Sequence, residues 1–222
     1  MLPTRSGSVL RDVHLADQTR SRTNIVHPSL DLKSWLQRTP SAQEARPKKC
    51  PCCQAPSCPL GRALGMWGHG LRSRQQRGPL LPGGRAQVVE VLLRRYLCRG
   101  CGAVLQVAPR GVLANKHFSA SAIVLALWLF GMQGLSAAQV RQRMSPWAVV
   151  GVSAQDSWRA LKRWLRAQQR GQLFLRVRPA PAHFTGRQVA QRVATTAMSL
   201  APPGTWSLGP QERAFWGGAH MA

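Results

Sequence analysis

Apolar and polar positions follow a strand pattern in one stretch of the chain and a helical spacing in several others. Residues 87–97 are rich in Val and Leu, end in Arg94-Arg95-Tyr96, and predict one long strand. Pro82-Gly83-Gly84 ahead of it is a turn signal, and residues 103–107 predict a return strand. Residues 120–130 carry Ile123, Leu127 and Phe130 at helical spacing behind Ser119, which suits an N-cap. Gly131-Met132-Gln133-Gly134 breaks that helix. Ser136 opens a second over 137–144, with Val140 and Met144 inward and Arg141 and Arg143 outward. Ser153-Ala154-Gln155-Asp156 has the S-x-x-[DE] form of a capping box and opens a third helix over 154–170. Trp158, Leu161, Trp164 and Leu165 make its apolar stripe and are assigned to packing. Arg159, Lys162, Arg163, Arg166 and Arg170 take its other faces. One more helix is predicted over 186–200, with Val189, Val193 and Ala197 on a face.

The remaining stretches show no sustained period. Residues 1–45 mix Ser, Thr, Arg and Pro and predict a disordered basic arm in which Leu30, Leu32, Trp35 and Leu36 allow a turn or two of helix. Residues 72–78 (Arg-Ser-Arg-Gln-Gln-Arg-Gly) read as a basic turn, and 109–116 as a linker. Beyond Gly171, prolines and glycines fragment the chain, so 172–222 predicts a C-terminal tail with one possible helix.

Candidate chemistry enters with the cysteines. Cys50-Pro51-Cys52-Cys53 and Cys98-Arg99-Gly100-Cys101-Gly102 each place two cysteines three positions apart. That spacing turns two thiolates toward one point, and Cys50, Cys53, Cys98 and Cys101 together supply the four sulfurs of a tetrahedral Zn²⁺ shell. The glycine after the second pair suits a knuckle turn with positive φ. Cys58 could replace Cys53 or Cys50 as a ligand, and Cys52 stands as an adventitious neighbour. Six cysteines also allow three disulfides, but residues 1–34 have no apolar core of a secretory signal, and outside an oxidising compartment paired cysteines more often mark metal. His69 reads as a surface residue that hydrogen-bonds or stacks on a base, since four cysteines already fill the shell.

Charge sets the partner class. Thirty-one Lys and Arg against seven Asp and Glu give a net charge of +24, whose ordinary explanation is a polyanion. A genome rich in GC would also favour arginine codons. Two-metal phosphoryl transfer needs several carboxylates gathered in one dry site. Here Asp12, Asp17, Asp31, Glu44, Glu90, Asp156 and Glu212 are scattered, with neither a phosphate-binding glycine loop nor a nucleophile with a His partner, so the chain reads as no enzyme. The apolar run 122–135 falls short of the about 20 residues that span a bilayer. A cytoplasmic protein facing nucleic acid follows, with no membrane or small-molecule substrate and with a homodimer as one assembly open to it.

The order of these features, C-P-x-C, a basic hairpin with the turn Trp67-Gly68-His69-Gly70, the strand and knuckle R-R-Y-x-C-x-x-C-G, then helices ending in Trp158 and Arg163-Trp164-Leu165-Arg166, resembles the N-terminal DNA-binding region of bacterial insertion-sequence transposases and related small bacterial proteins of unknown function. The resemblance covers about residues 50–170. It implies an α+β fold: a small Cys₄ zinc ribbon of short antiparallel strands (46–110), a three-helix helix-turn-helix unit (117–171), and flexible basic tails on either side. It also implies binding to the terminal repeats of an element and a place near the bacterial nucleoid. A full transposase would add a catalytic domain with an Asp-Asp-Glu triad, which this sequence lacks. Gln155 and Arg159, near the start of the third helix, would meet base edges in the major groove. Lys162, Arg163 and Arg166 would meet phosphates, and Arg72, Arg74, Arg77, Arg94 and Arg95 would form a basic face on the ribbon that tracks the backbone. The competing reading is a zinc-ribbon adaptor that binds protein or RNA without reading a DNA sequence.

Overall fold

A computed structural model of the chain describes residues 24–147 and 158–221. The chain is mixed α+β. Its first half builds a four-stranded sheet from β1 (Asn24–Val26), β2 (Met66–Gly78), β3 (Gln87–Cys98) and β4 (Val104–Val107), with a short helix α1 (Leu32–Gln37) between β1 and β2. The sheet order is β1-β4-β3-β2. The β2, β3 and β4 strands run antiparallel, and β1 lies parallel to β4 at the far edge.

The second half is helical: α2 (Ala120–Gly131), α3 (Ala137–Met144), α4 (Arg159–Gln169), α5 (Gly186–Ser199) and α6 (Pro210–Gly218), with single 3₁₀ turns after α5 and after α6. From Ala120 to Leu129 every α2 residue is buried, as expected of a helix apolar all round, and α5 and α6 pack on it and on each other. Ser119 caps α2 by accepting from the Ala122 amide at 3.1 Å, and Ser136 and Gln139 form a reciprocal capping box on α3. Phe118, Trp158 and Trp164 meet edge to face beneath α4, with ring centroids 4.9 to 5.7 Å apart. The predicted capping box at Ser153–Asp156, and Gln155 with it, lies outside the described residues.

Several sequence expectations need correcting. Residues 24–45 are no loose arm. The β1 strand pairs with β4, Asp31 caps α1 by accepting from the Ser34 amide at 2.8 Å, and Trp35 is buried with its indole N–H donating to the Leu92 carbonyl at 2.9 Å. Nor is 172–222 a tail with one helix. Phe174, Val193, Ala197, Ala214 and Phe215 belong to the same apolar core as α2, because α2 is buried on all sides and needs two further helices to cover it.

The hairpin also differs. Residues 72–78 are strand, not turn, and the actual turn lies between β2 and β3. The Trp67–Gly70 stretch is a β-bulge inside β2, where the register slips between Gly68 and Leu71. The hairpin escapes a simple alternation because it changes its buried face midway. Near the turn Val91 and Leu93 are buried, on the face shared with Arg74 and Gln76, which reach toward the helical half: Gln76 donates from Nε2 to the His117 carbonyl at 2.7 Å. Near the cysteines the other face is buried. There Tyr96, Cys98 and Met66 pack inward, and the Tyr96 hydroxyl donates to the Ala42 carbonyl at 2.7 Å.

Candidate metal centre

The two cysteine loops are built alike. In the first, the Gln54 amide donates back to the Cys50 carbonyl and the Cys50 amide to the Ala55 carbonyl, both at 2.9 Å. In the second, the Gly102 amide donates to Cys98 and the Cys98 amide to Ala103, again at 2.9 Å. The residue four after the first cysteine takes a positive φ in both loops, 61° at Gln54 and 70° at Gly102. Glycine adopts this conformation without cost. Nothing in the residue type marks Gln54; its signal is the position it shares with Gly102.

These matched turns face one another and converge four sulfurs. Cys50 Sγ lies 3.7 Å from Cys101 Sγ, and Cys53 Sγ lies 3.6 Å from Cys98 Sγ. All four atoms fall within 4.8 Å of one another. A tetrahedral ion with bonds of about 2.3 Å to sulfur separates its ligands by about 3.8 Å, so Cys50, Cys53, Cys98 and Cys101 are close enough to hold one metal ion. Cys52 and Cys58 are exposed and outside this group. The backbone amide of Cys52 faces the Cys50 sulfur, and Cys58 accepts from the Arg46 guanidinium at 3.8 Å. His69 is exposed on the bulge and takes no part in the cluster.

The surroundings divide the four thiols. Burial disfavours the Cys50 thiolate, but the amides of Cys53 and Cys52 and the thiols of Cys98 and Cys101 outweigh it and bring this thiol down to about 7. Burial, together with competition from Cys53, Cys50 and Cys98, pushes Cys101 up to about 12. A metal requires thiolates, so loading near neutrality must displace at least the Cys101 proton. Metal affinity should therefore fall at least about tenfold for each unit that pH drops below about 8, one factor of ten for every thiol proton displaced, and more steeply once Cys50 also takes up its proton. Competition with a chromophoric chelator at about pH 6, 7 and 8 checks this, and a flat profile would contradict it.

The arginines predicted for the ribbon do not share one face. Cross-strand register places Arg72, Arg74 and Arg95 on one side of the sheet and Arg77 and Arg94 on the other. Two of them are turned to internal work. Arg74 donates from Nη2 to the Leu113 carbonyl at 2.6 Å and also to that of Lys116, and Arg94 donates from Nε to the Pro40 carbonyl at 2.7 Å. Burial, then the charge of Arg72, holds the Arg74 guanidinium below its usual range. Arg72 and Arg77 remain exposed. On α4, Arg159, Lys162, Arg163 and Arg166 are all exposed, opposite buried Leu161, Trp164 and Gln168. Among the described residues the only ion pair is Arg38–Glu44 at 2.7 Å, far from these side chains in sequence. No described helix is long and apolar enough to cross a membrane.

Comparison of the chain with protein-family models, with curated proteins and with solved structures gives no match.

Proposed function

We propose that this chain is a DNA-binding protein in which a structural zinc ribbon anchors the sheet and the helical half carries a helix-turn-helix-type reading head, the arrangement of transposase DNA-binding regions. Four thiolates suit Zn²⁺, and a shell filled by sulfur leaves no position for a reacting water, so the ion holds the fold and takes no part in chemistry. The observation that carries the reading is the outer face of α4. Arg159, Lys162, Arg163 and Arg166 stand exposed there, and between Glu44 and Asp156 the sequence holds a single carboxylate, Glu90. Among the described residues no carboxylate forms an ion pair with these four side chains, and positive charge so left is available to phosphates. The α2, α3 and α4 helices follow one another as the three helices of such a head, with Arg159 at the start of α4 toward base edges and the later side chains on the backbone.

Fluorescence anisotropy of a labelled duplex across salt tests this. Affinity should drop by orders of magnitude between about 50 and 200 mM salt if about six phosphates are engaged. Replacing Lys162, Arg163 and Arg166 by Ala should weaken binding about a hundredfold at low salt and reduce the logarithmic salt slope by about three, one for each phosphate left without its cation. A wild-type chain indifferent to salt, or a folded triple variant that binds as well as wild type, would sink the proposal.

A further inference from the structure

The sheet face beside the cysteines carries an apolar row that the metal centre does not use. Register places Trp67 opposite Leu97, and Leu97 opposite Val104, so the three side chains cross β2, β3 and β4 on one face. The other face of the same positions is the buried one, holding Met66, Tyr96, Cys98 and Leu105. Trp67 is 50% exposed and Val104 36% exposed, which leaves an indole and a valine facing water on either side of Leu97. The guanidinium carbon of Arg99 sits 4.8 Å from the centroid of the Trp67 ring. Arg95 occupies the same face two residues before Leu97. On the far side of Trp67 the chain bulges at Gly68–Leu71, and a side chain added at Gly70 would meet nothing within 4 Å. The row is thus open on one flank and cationic on the other.

We infer that the Trp67–Leu97–Val104 row, with Arg99 and Arg95 beside it, is a stacking platform for the unpaired bases of a single DNA strand. This rests on the DNA-binding reading and deepens it. An exposed aromatic ring on a sheet, bordered by arginines, is the arrangement by which proteins hold single strands: the ring takes the π-face of any base while the cations follow the phosphates. Arg99 serves both ends of such a contact, since a guanidinium that already lies against an aromatic ring keeps its N–H groups for a phosphate oxygen. Duplex bases are stacked on one another and offer no face to Trp67. The platform therefore favours single-stranded or frayed DNA, whereas the α4 face, which meets only phosphates and groove edges, favours the duplex. The charge argues for a strongly anionic occupant: no Asp or Glu occurs from Val91 to Val107 or from Ala45 to Val89, the segments that make this face.

Anisotropy titrations of the metal-loaded full chain with three labelled probes test the inference: a mixed-sequence single strand, a duplex of the same sequence, and a strand of abasic residues with the same phosphates. Trp67→Ala should lower affinity for the single strand about tenfold and leave the duplex within about twofold. Trp67→Phe, which keeps a ring, should recover most of the loss, and the abasic strand should bind wild type and Trp67→Ala alike. Unchanged circular dichroism and metal content establish that the variants are folded. Equal single-strand binding by wild type and Trp67→Ala would overturn the platform while leaving duplex binding, and with it the proposed function, intact. Wild-type chain that binds none of the three probes would overturn both.

Discussion

A Cys98→Ala chain is expected to purify without bound metal and to lose the ordered structure of its sheet half. Cys98 and Cys50 are buried, and their sulfurs are two of the four that converge. Between the end of α1 and Met66 the chain has no helix or strand, only turns closed by single hydrogen bonds such as Ser57 N–H to the Lys48 carbonyl at 3.0 Å. A metal held by the four sulfurs would tie this stretch to the β3–β4 turn, in addition to the hydrogen bonds of Arg94 to Pro40 and Tyr96 to Ala42. If the metal is the proposed structural zinc, it is worth about 10 to 16 kcal/mol at neutral pH, comparable to the whole stability of a typical domain, and its loss should unfold this half. Elemental analysis with amide hydrogen exchange over 47–107 reads the effect. Cys52→Ala and Cys58→Ala are the controls, because neither thiol belongs to the cluster, and both should keep metal and protection. Stoichiometric metal in Cys98→Ala, or loss of it in Cys58→Ala, would show that the ligand set is wrong.

The second large effect is steric and falls in the helical half. In Gly217→Ala the new methyl would meet the Ala197 carbonyl oxygen at 1.8 Å and its carbon at 2.6 Å, both main-chain atoms that cannot swing aside. At the next residue, Gly218, an added methyl would come 2.8 Å from Ser121 Cα. The α6 helix thus lies directly on the backbones of α5 and α2, with no side chain between. Overpacking of this kind costs about 1 to 3 kcal/mol where neighbours can adjust and more where backbone must move. We expect Gly217→Ala to cost at least about 3 kcal/mol, separating α6 from α5 and exposing the Phe215 side of the core. Urea unfolding followed by tryptophan fluorescence measures it. A variant within about 1 kcal/mol of wild type would mean that α6 does not seat this closely.

Much of this architecture was legible where one local signal was enough. Ser119 and Ser136 mark the starts of α2 and α3, the spacing of Val189, Val193 and Ala197 marks α5, and the paired cysteines mark the cluster. What stayed hidden depends on partners distant in sequence. Trp35 is an ordinary residue of a polar stretch until Leu92 accepts from its indole, and β1 has only three residues, too few for a period. The β2 strand defeats the alternation rule twice, through its bulge and through the change of buried face along the hairpin, which left Arg72 to Arg77 looking like a turn. The α6 helix was concealed because the prolines and glycines of 172–209 fragment the pattern ahead of it and its own contacts are made through Gly217 and Gly218, which carry no apolar side chain to show a period. Among site residues the cysteines carried their own signal, while Trp67 gained meaning only from its neighbours Leu97, Val104 and Arg99.

The parallel pairing of β1 with β4 bears on the order in which the molecule is assembled. Asn24 has no partner until Leu105 has been made, and Val26 none until Val107. Closing so long a loop costs entropy that three residues of ladder do not repay by themselves. The local β2–β3 hairpin can form as soon as its own residues leave the ribosome, and the second cysteine loop follows it directly. Among the described strands the first in sequence is thereby the last to join the sheet, and for the time it takes to synthesise about eighty residues it has no β4 to pair with.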